Sequence, residues 1–371
     1  MVAQWGLGSG LWPTARAWSA TQPNLETIAQ QGTEYVATLS DGSLAKLTLQ
    51  PRFQEAARQL LSAAHPLAGA ALLVDLSSGN LLAFAQYRRS NYPSAQVLLD
   101  TVPSASVFKI VTATALLERD RVHPKTRICF SGGQHRIERR HLEPPPAAES
   151  LCSRFSTALG FSRNAVFAQL ATQHLLHSDL LETAERLGFN APLPFDVPAQ
   201  VGSVDLPYND LRFARAAAGF EGSRLAPLGA AHLVSAIALG GCPARLRLVQ
   251  QPEGKRELLP RVMSPNTAWR LTRMLEVTVH SGTSLEAFSD DLGQSYLGGV
   301  RVAGKTGTLQ VSAQSPTTTW FTGFAPSRTP QVAVTVMMQN GQVWRRKANE
   351  LARDLLRVYF SGQPGVSDPL G

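Results

Sequence analysis

A chain of 371 residues, 44% hydrophobic and 17% charged, holds ample material for a buried core, and disorder over most of its length is excluded. The formal net charge of +8 fits either an anionic setting, such as lipid headgroups or acidic wall polymers, or a generally basic soluble surface. Nucleic acid is not an expected partner: no run of five basic residues exists, and the densest patch, Arg136 to Arg140, holds three arginines around Ile137 and Glu138.

In chain order, residues 1–13 are apolar and Gly-rich but lack the basic start and long apolar stretch of a signal peptide. No run of 18 apolar residues occurs, and the best candidate, 225–241, is broken by His232 and Ser235 and reads as a buried helix. An export or membrane signal is therefore either cryptic or upstream. Residues 1–40 show no firm periodicity and close on the turn Ser40-Asp41-Gly42. Residues 46–50 alternate like a short strand. Pro51 then opens a helix with Phe53, Ala56, Ala57, Leu60 and Leu61 on one face.

Residues 69–76 and 81–86 are strands around a turn at 77–80, a hairpin. Residues 87–105 read as loop, 107–118 as helix, and 121–153 as irregular, with prolines at 144–146. Helices follow at 164–177 and 180–187, then a loop with four prolines at 192–207. An apolar helix at 228–239 ends on Gly240-Gly241, and another spans 265–280. Strands are expected at 299–304, 317–324 and 331–338, and a closing helix at 345–360. This order predicts an α+β fold. An antiparallel sheet of about five strands is flanked by helices, and a mostly helical subdomain is inserted between the N-terminal hairpin and the C-terminal strands.

Cys129, Cys152 and Cys242 form no CxxC pair, which argues against zinc. Cys129 and Cys152 bracket the irregular segment and either close it with a disulfide or remain thiols. His174 and His177, read as i, i+3 on one helix, lack a third ligand, so neither a metal nor a cofactor is expected.

Three short motifs carry the chemistry. Ser106-Val107-Phe108-Lys109 opens a helix and puts a hydroxyl and an amine one turn apart. A serine hydroxyl needs a base, and a lysine serves if burial and a second cation, here Lys305, lower its pKa. Ser162-Arg163-Asn164 precedes a helix. Ser162 is placed to relay a proton and Asn164 to hold a substrate amide, or both are simply helix caps. Lys305-Thr306-Gly307-Thr308 follows a strand-like run. Lys305, Thr306 and Thr308 suit a terminal carboxylate, and Gly307 clears space for a peptide laid along the strand edge; the alternative is a hairpin turn.

In this order and spacing, the motifs make the chain similar to the transpeptidase domain of penicillin-binding proteins, from about residue 47 to 360. Leu47-Thr48-Leu49-Gln50-Pro51 with Gln54, residues 71–85, Asn164 to Ala171, Leu225-Ala226-Pro227-Leu228 with residues 237–241, and Trp320 to Pro326 resemble further segments of that family. The resemblance implies a 1–46 segment without an independent domain, a transpeptidase domain over 47–362 and a tail at 363–371. It implies that Ser106 is acylated, that Lys109 is its base and that Ser162 and Asn164 line the cleft. Lys305, Thr306, Gly307 and Thr308 would bind substrate, and the backbone N–H groups of Ser106 and Thr308 would form an oxyanion hole.

Arg163 departs from the small or acidic residue usual at that position, which points away from the cleft. The implied reaction is D,D-transpeptidation of D-Ala-D-Ala stem peptides in the cell envelope, in association with the inner membrane. β-Lactams, and a glycosyltransferase or divisome or elongasome proteins, are the implied partners. D,D-carboxypeptidase or endopeptidase, serine β-lactamase, and a non-catalytic penicillin-binding scaffold or sensor remain alternatives. Against a class A lactamase, Glu182 and Glu185 lie in a helical stretch with no Asn four residues on.

Overall fold

The computed structural model describes residues 21–251 and 256–370. The expectations for residues 1–13 fall outside that range. Five strands make one antiparallel sheet: β1 (Ala68–Asp75), β2 (Leu81–Arg88), β3 (Ala303–Leu309), β4 (Thr317–Ala325) and β5 (Val332–Asn340), in the order β3-β4-β5-β1-β2. The register sets Lys305 opposite Thr322, Val336 opposite Ala71, and Ala71 opposite Ala85. β4 is buried at every position, and β1 and β5 at nearly every one, without alternation. Continuous burial requires cover on both faces of the sheet.

One face carries the helices Pro51–Ala64 and Ala348–Phe360, whose Leu60, Leu61, Leu351 and Leu355 join Val334 and Phe321 in one cluster. The other carries Pro227–Ala238 and the helical subdomain, where Leu228, Val234 and Phe108 pack with Leu72, Phe324 and Trp320. The helix Pro51–Ala64 starts on proline, whose missing N–H costs nothing there. It stops at His65, whose left-handed φ of 50° returns its N–H to Leu61 and Ser62 carbonyls. The α+β architecture expected from the sequence is the one observed.

Several local expectations change. The strand expected at 46–50 lies at Leu44–Lys46, and Leu47 makes only an isolated bridge to Val249. It closes a three-stranded sheet with Ala29–Gln31 and Glu34–Thr38, in a region without readable periodicity because these short strands bury few side chains. The segment 121–153 contains a hairpin, Arg127–Phe130 with Leu151–Arg154, in which paired Cys129 and Cys152 form a disulfide. The helix expected at 164–177 ends at His174, and His177 begins the next, so the two histidines share no helix face. His177 instead stacks on Tyr208 at 4.1 Å, and its Nε2 pairs with the Leu206 carbonyl at 2.6 Å. The strand expected at 299–304 runs Ala303–Leu309, so the Lys-Thr-Gly-Thr motif lies within a strand and not at a turn. Gly304 and Gly307 disguise it. A Cβ on Gly304 would stand 2.5 Å from Phe321 Cζ, so glycine here serves close packing.

Candidate active site

Ser106 sits in a 3₁₀ turn, Ala105–Phe108, that runs into the helix Lys109–Glu118. Three residues per turn eclipse positions i and i+3, which brings Lys109 back over Ser106. Lys109 Nζ lies 2.7 Å from Ser106 Oγ. The turn is held from three sides. Ala105 adopts φ 49°, a conformation that costs a side-chain-bearing residue of order 1 kcal/mol or more. Gly219 packs onto it so closely that a Cβ would stand 2.1 Å from the Ala105 carbonyl oxygen. On β3, a Cβ on Gly307 would lie 3.2 Å from Ala105 Cβ and from Trp320 Cδ1. Trp320 Nε1 donates to the Pro103 carbonyl at 2.9 Å.

Lys109 is fully buried, and its amine faces three oxygens: Ser106 Oγ, Asn164 Oδ1 at 2.7 Å and the Ala218 carbonyl at 2.6 Å. Burial, followed by the positive charge of Lys305, holds its pKa well below the ordinary lysine value. Lys305 is also fully buried; desolvation pushes its pKa down to about 7, and its Nζ donates to the Thr306 carbonyl at 2.9 Å. The Phe167 ring stands 5.7 Å from Lys109 Nζ, while Phe108 packs edge-on against Phe189.

Ser162 lies in the turn between the helices Phe155–Gly160 and Asn164–His174, in a left-handed conformation with φ 55°. Neither Ser162 nor Asn164 caps the second helix, whose N-cap is Arg163 with no side-chain cap bond. The Asn164 amide is used at both ends: Oδ1 accepts from Lys109, and Nδ2 donates to the Gln134 carbonyl at 2.6 Å. The Arg163 guanidinium lies over the rings of Phe130 and Phe161, at 5.7 and 5.4 Å, and joins no bond of the site.

β3 is an edge of the sheet, so the backbone groups not paired with β4 point outward and can take an extended chain. Side chains alternate along it. Lys305 and Gly307 stand opposite Thr322 and Trp320, on the face of the helical subdomain. Thr306 stands opposite Phe321; its hydroxyl pairs with that of Thr283 at 2.6 Å, and Thr308 is exposed. The structure thus brings Ser106, Lys109, Asn164 and Lys305 together. The Ser162 hydroxyl makes no hydrogen bond among the described residues.

The carbonyls of Ala218 and Gln134 could not be anticipated from the sequence, because a backbone acceptor has no residue signature. Thr283 lay in a visible turn, Ser281-Gly282-Thr283-Ser284, with nothing to show its contact. Glu182 is committed to Arg119 at 2.8 Å. Among the described residues, no three His, Cys, Asp or Glu side chains gather as metal ligands, and no helix is long and apolar enough to cross a membrane.

Comparison with known proteins gives this geometry a context. A peptidoglycan D,D-transpeptidase PbpA of Mycobacterium tuberculosis is 25% identical over 348 residues, covering 81% of this chain and 68% of that protein. The D,D-transpeptidase domain of a peptidoglycan glycosyltransferase from Eggerthella lenta superposes with a TM-score of 0.69 at 21% identity, covering 90% of this chain and 96% of that one. Penicillin-binding protein A from M. tuberculosis, as its ceftriaxone acyl-enzyme complex, gives a TM-score of 0.68 at 22% identity, covering 85% and 78%. The profile of the penicillin binding protein transpeptidase domain matches residues 69–357, a stretch that runs from β1 into the last helix and takes in all three motifs, and the chain belongs to that family.

Proposed function

We propose that this chain is a peptidoglycan D,D-transpeptidase acting through an acyl-enzyme on Ser106. The observation that carries the reading is a fully buried, pKa-lowered lysine amine 2.7 Å from a serine hydroxyl at a sheet edge. Neutral Lys109 takes the Ser106 proton as Oγ bonds to the penultimate D-Ala carbonyl carbon. The backbone N–H groups of Ser106 and Thr308 hold the oxyanion. The C–N bond then breaks, and terminal D-Ala leaves as an amine after regaining a proton from Lys109 through Ser162. An acceptor amine attacks the ester, gives up a proton by the reverse relay and frees Ser106. Asn164 orients Lys109 and the substrate amide. Protonated Lys305 binds the terminal carboxylate where it lies along the open β3 edge, the hydroxyls of Thr306 and Thr308 reach it from the other side of that edge once Thr306 leaves Thr283, and Gly307 keeps β3 close to the nucleophile.

Similar proteins support the reading. The relatives include a peptidoglycan D,D-transpeptidase, and structural neighbours include ceftriaxone and penicillin G acyl-enzyme complexes. Cell-wall peptides as substrate place the protein in the envelope. Inner-membrane association, and a glycosyltransferase or divisome or elongasome partner that supplies glycan strands, complete the proposal.

Fluorescent penicillin should label the protein, and Ser106→Ala should abolish the label; label retained in Ser106→Ala would mean another nucleophile. D-Ala release from a D-Ala-D-Ala peptide should rise with an added amine acceptor. Release indifferent to acceptor would make the enzyme a carboxypeptidase.

A further inference from the structure

The Asn164 amide has two chemically different ends, and its surroundings admit only one orientation. The Gln134 carbonyl can only accept a hydrogen bond, so the –NH₂ end must face it, at 2.6 Å, and Oδ1 must face Lys109. Lys109 therefore meets two oxygens that can only accept, Asn164 Oδ1 and the Ala218 carbonyl, and one that can also donate, Ser106 Oγ. A neutral amine has two N–H bonds and one lone pair. With both N–H bonds spent on the two obligate acceptors, the lone pair is left for the Ser106 proton. Were the amide reversed, its –NH₂ would compete for that lone pair.

What keeps the Gln134 carbonyl in place is the arm at residues 132–137. Gly133, at φ 71°, lies so close to Asn164's neighbour that a Cβ on it would stand 2.8 Å from Ala165 Cβ. Farther along, Arg215 Nε donates to the Ile137 carbonyl at 3.0 Å. Arg215 stands on the helix Asp210–Ala217, which runs directly into Ala218, the residue whose carbonyl holds Lys109.

Resting on the transpeptidase reading above, we infer that Arg215 is a positioning residue: by tying this arm to the helix that ends at Ala218, it fixes the Asn164 amide and directs the Lys109 lone pair at Ser106.

The test is the rate of acylation by fluorescent penicillin as a function of pH, with thermal unfolding measured alongside. Lys305, from β3, is the other charged group acting on Lys109 and is unchanged in every variant. Arg215→Ala should slow acylation about 10- to 100-fold, as expected when a base is misaligned. Its acid limb should move to lower pH, because an amide –NH₂ facing Lys109 favours the neutral amine. Arg215→Lys, which keeps a donor, should recover most of the rate. Gly133→Ala, which pushes the arm from Ala165, should reproduce the Arg215→Ala profile and serves if that variant does not fold. An unshifted acid limb in both Arg215→Ala and Gly133→Ala overturns the inference, whatever their melting temperatures. Absence of label on the unmodified protein overturns the transpeptidase reading itself, and this one with it.

Discussion

At the scale of single residues, Lys109 and Lys305 share one problem: both amines are fully buried, yet the proposed chemistry asks one to be neutral and the other charged. The environment separates them. Lys109 bears the burial cost plus repulsion from Lys305, which together hold its pKa well below the ordinary lysine value, whereas burial brings that of Lys305 down to about 7. The acylation rate should therefore rise with pH as Lys109 loses its proton. Reaction with carboxylate-bearing substrates should fall again above about 7 as Lys305 loses its own. A bell-shaped kcat/KM profile checks this, and Lys305→Met should remove its alkaline limb. Lys109→Met should cost about 10²–10⁴ in acylation rate, the usual worth of a general base, read with the same fluorescent penicillin. The nucleophile and base were legible in the sequence because SxxK is a local spacing. Burial and the charge of Lys305 were named from the sequence as the activating causes, but full burial of the amine was not legible, because it depends on packing by residues as distant in sequence as Phe167.

At the scale of elements, the two edges of the sheet are treated in opposite ways. β3 is left open beside the nucleophile, while β2 is closed by a side chain. Gln54 is 5% exposed, and its amide accepts from the Phe84 N–H at 2.8 Å and donates to the Phe84 carbonyl at 3.2 Å, as a neighbouring strand would. Gln54→Ala strips both groups of a partner. It should lower stability by about 2–6 kcal/mol in a denaturant titration, given ~1–3 kcal/mol per buried unpaired group, and leave the acylation rate unchanged. The disulfide works at the same scale. Cys129 and Cys152, 23 positions apart in sequence, close a loop that includes Gln134 and Ile137. Replacing both with Ser should cost about 2–4 kcal/mol of stability, measurable against the parent under non-reducing conditions.

Across the whole molecule, burying two amines couples folding to pH. A lysine at about 7 when folded, and near 10.4 when unfolded, binds fewer protons in the native state between those values. Stability should therefore increase from pH 7 toward 10 and be lost as pH falls through 7, by at most ~1.4 kcal/mol per pH unit from Lys305. Lys305→Met should flatten that slope in melting curves; an unchanged slope would place the linkage elsewhere. The layered arrangement makes this coupling unavoidable, since the sheet edge bearing Lys305 must lie against the helical subdomain bearing Lys109 to form the cleft.

Sequence by itself determined the features that short-range spacing dictates. The 1,4 relation of Ser106 and Lys109, the helix from Pro51 and its buried face, the 265–280 helix and the apolar strands at β1, β4 and β5 are written in local periodicity and turn chemistry. It did not reveal the 29–46 sheet, the hairpin under Cys129 and Cys152, or the strand containing Lys305. Those elements are short, exposed or rich in glycine, and pairing between distant segments, not local preference, stabilises them. Only the tertiary structure decided that the carbonyls of Ala218 and Gln134 complete the surroundings of Lys109 and Asn164. Backbone acceptors carry no mark in the residue code, and their positions exist only once the chain has closed on itself.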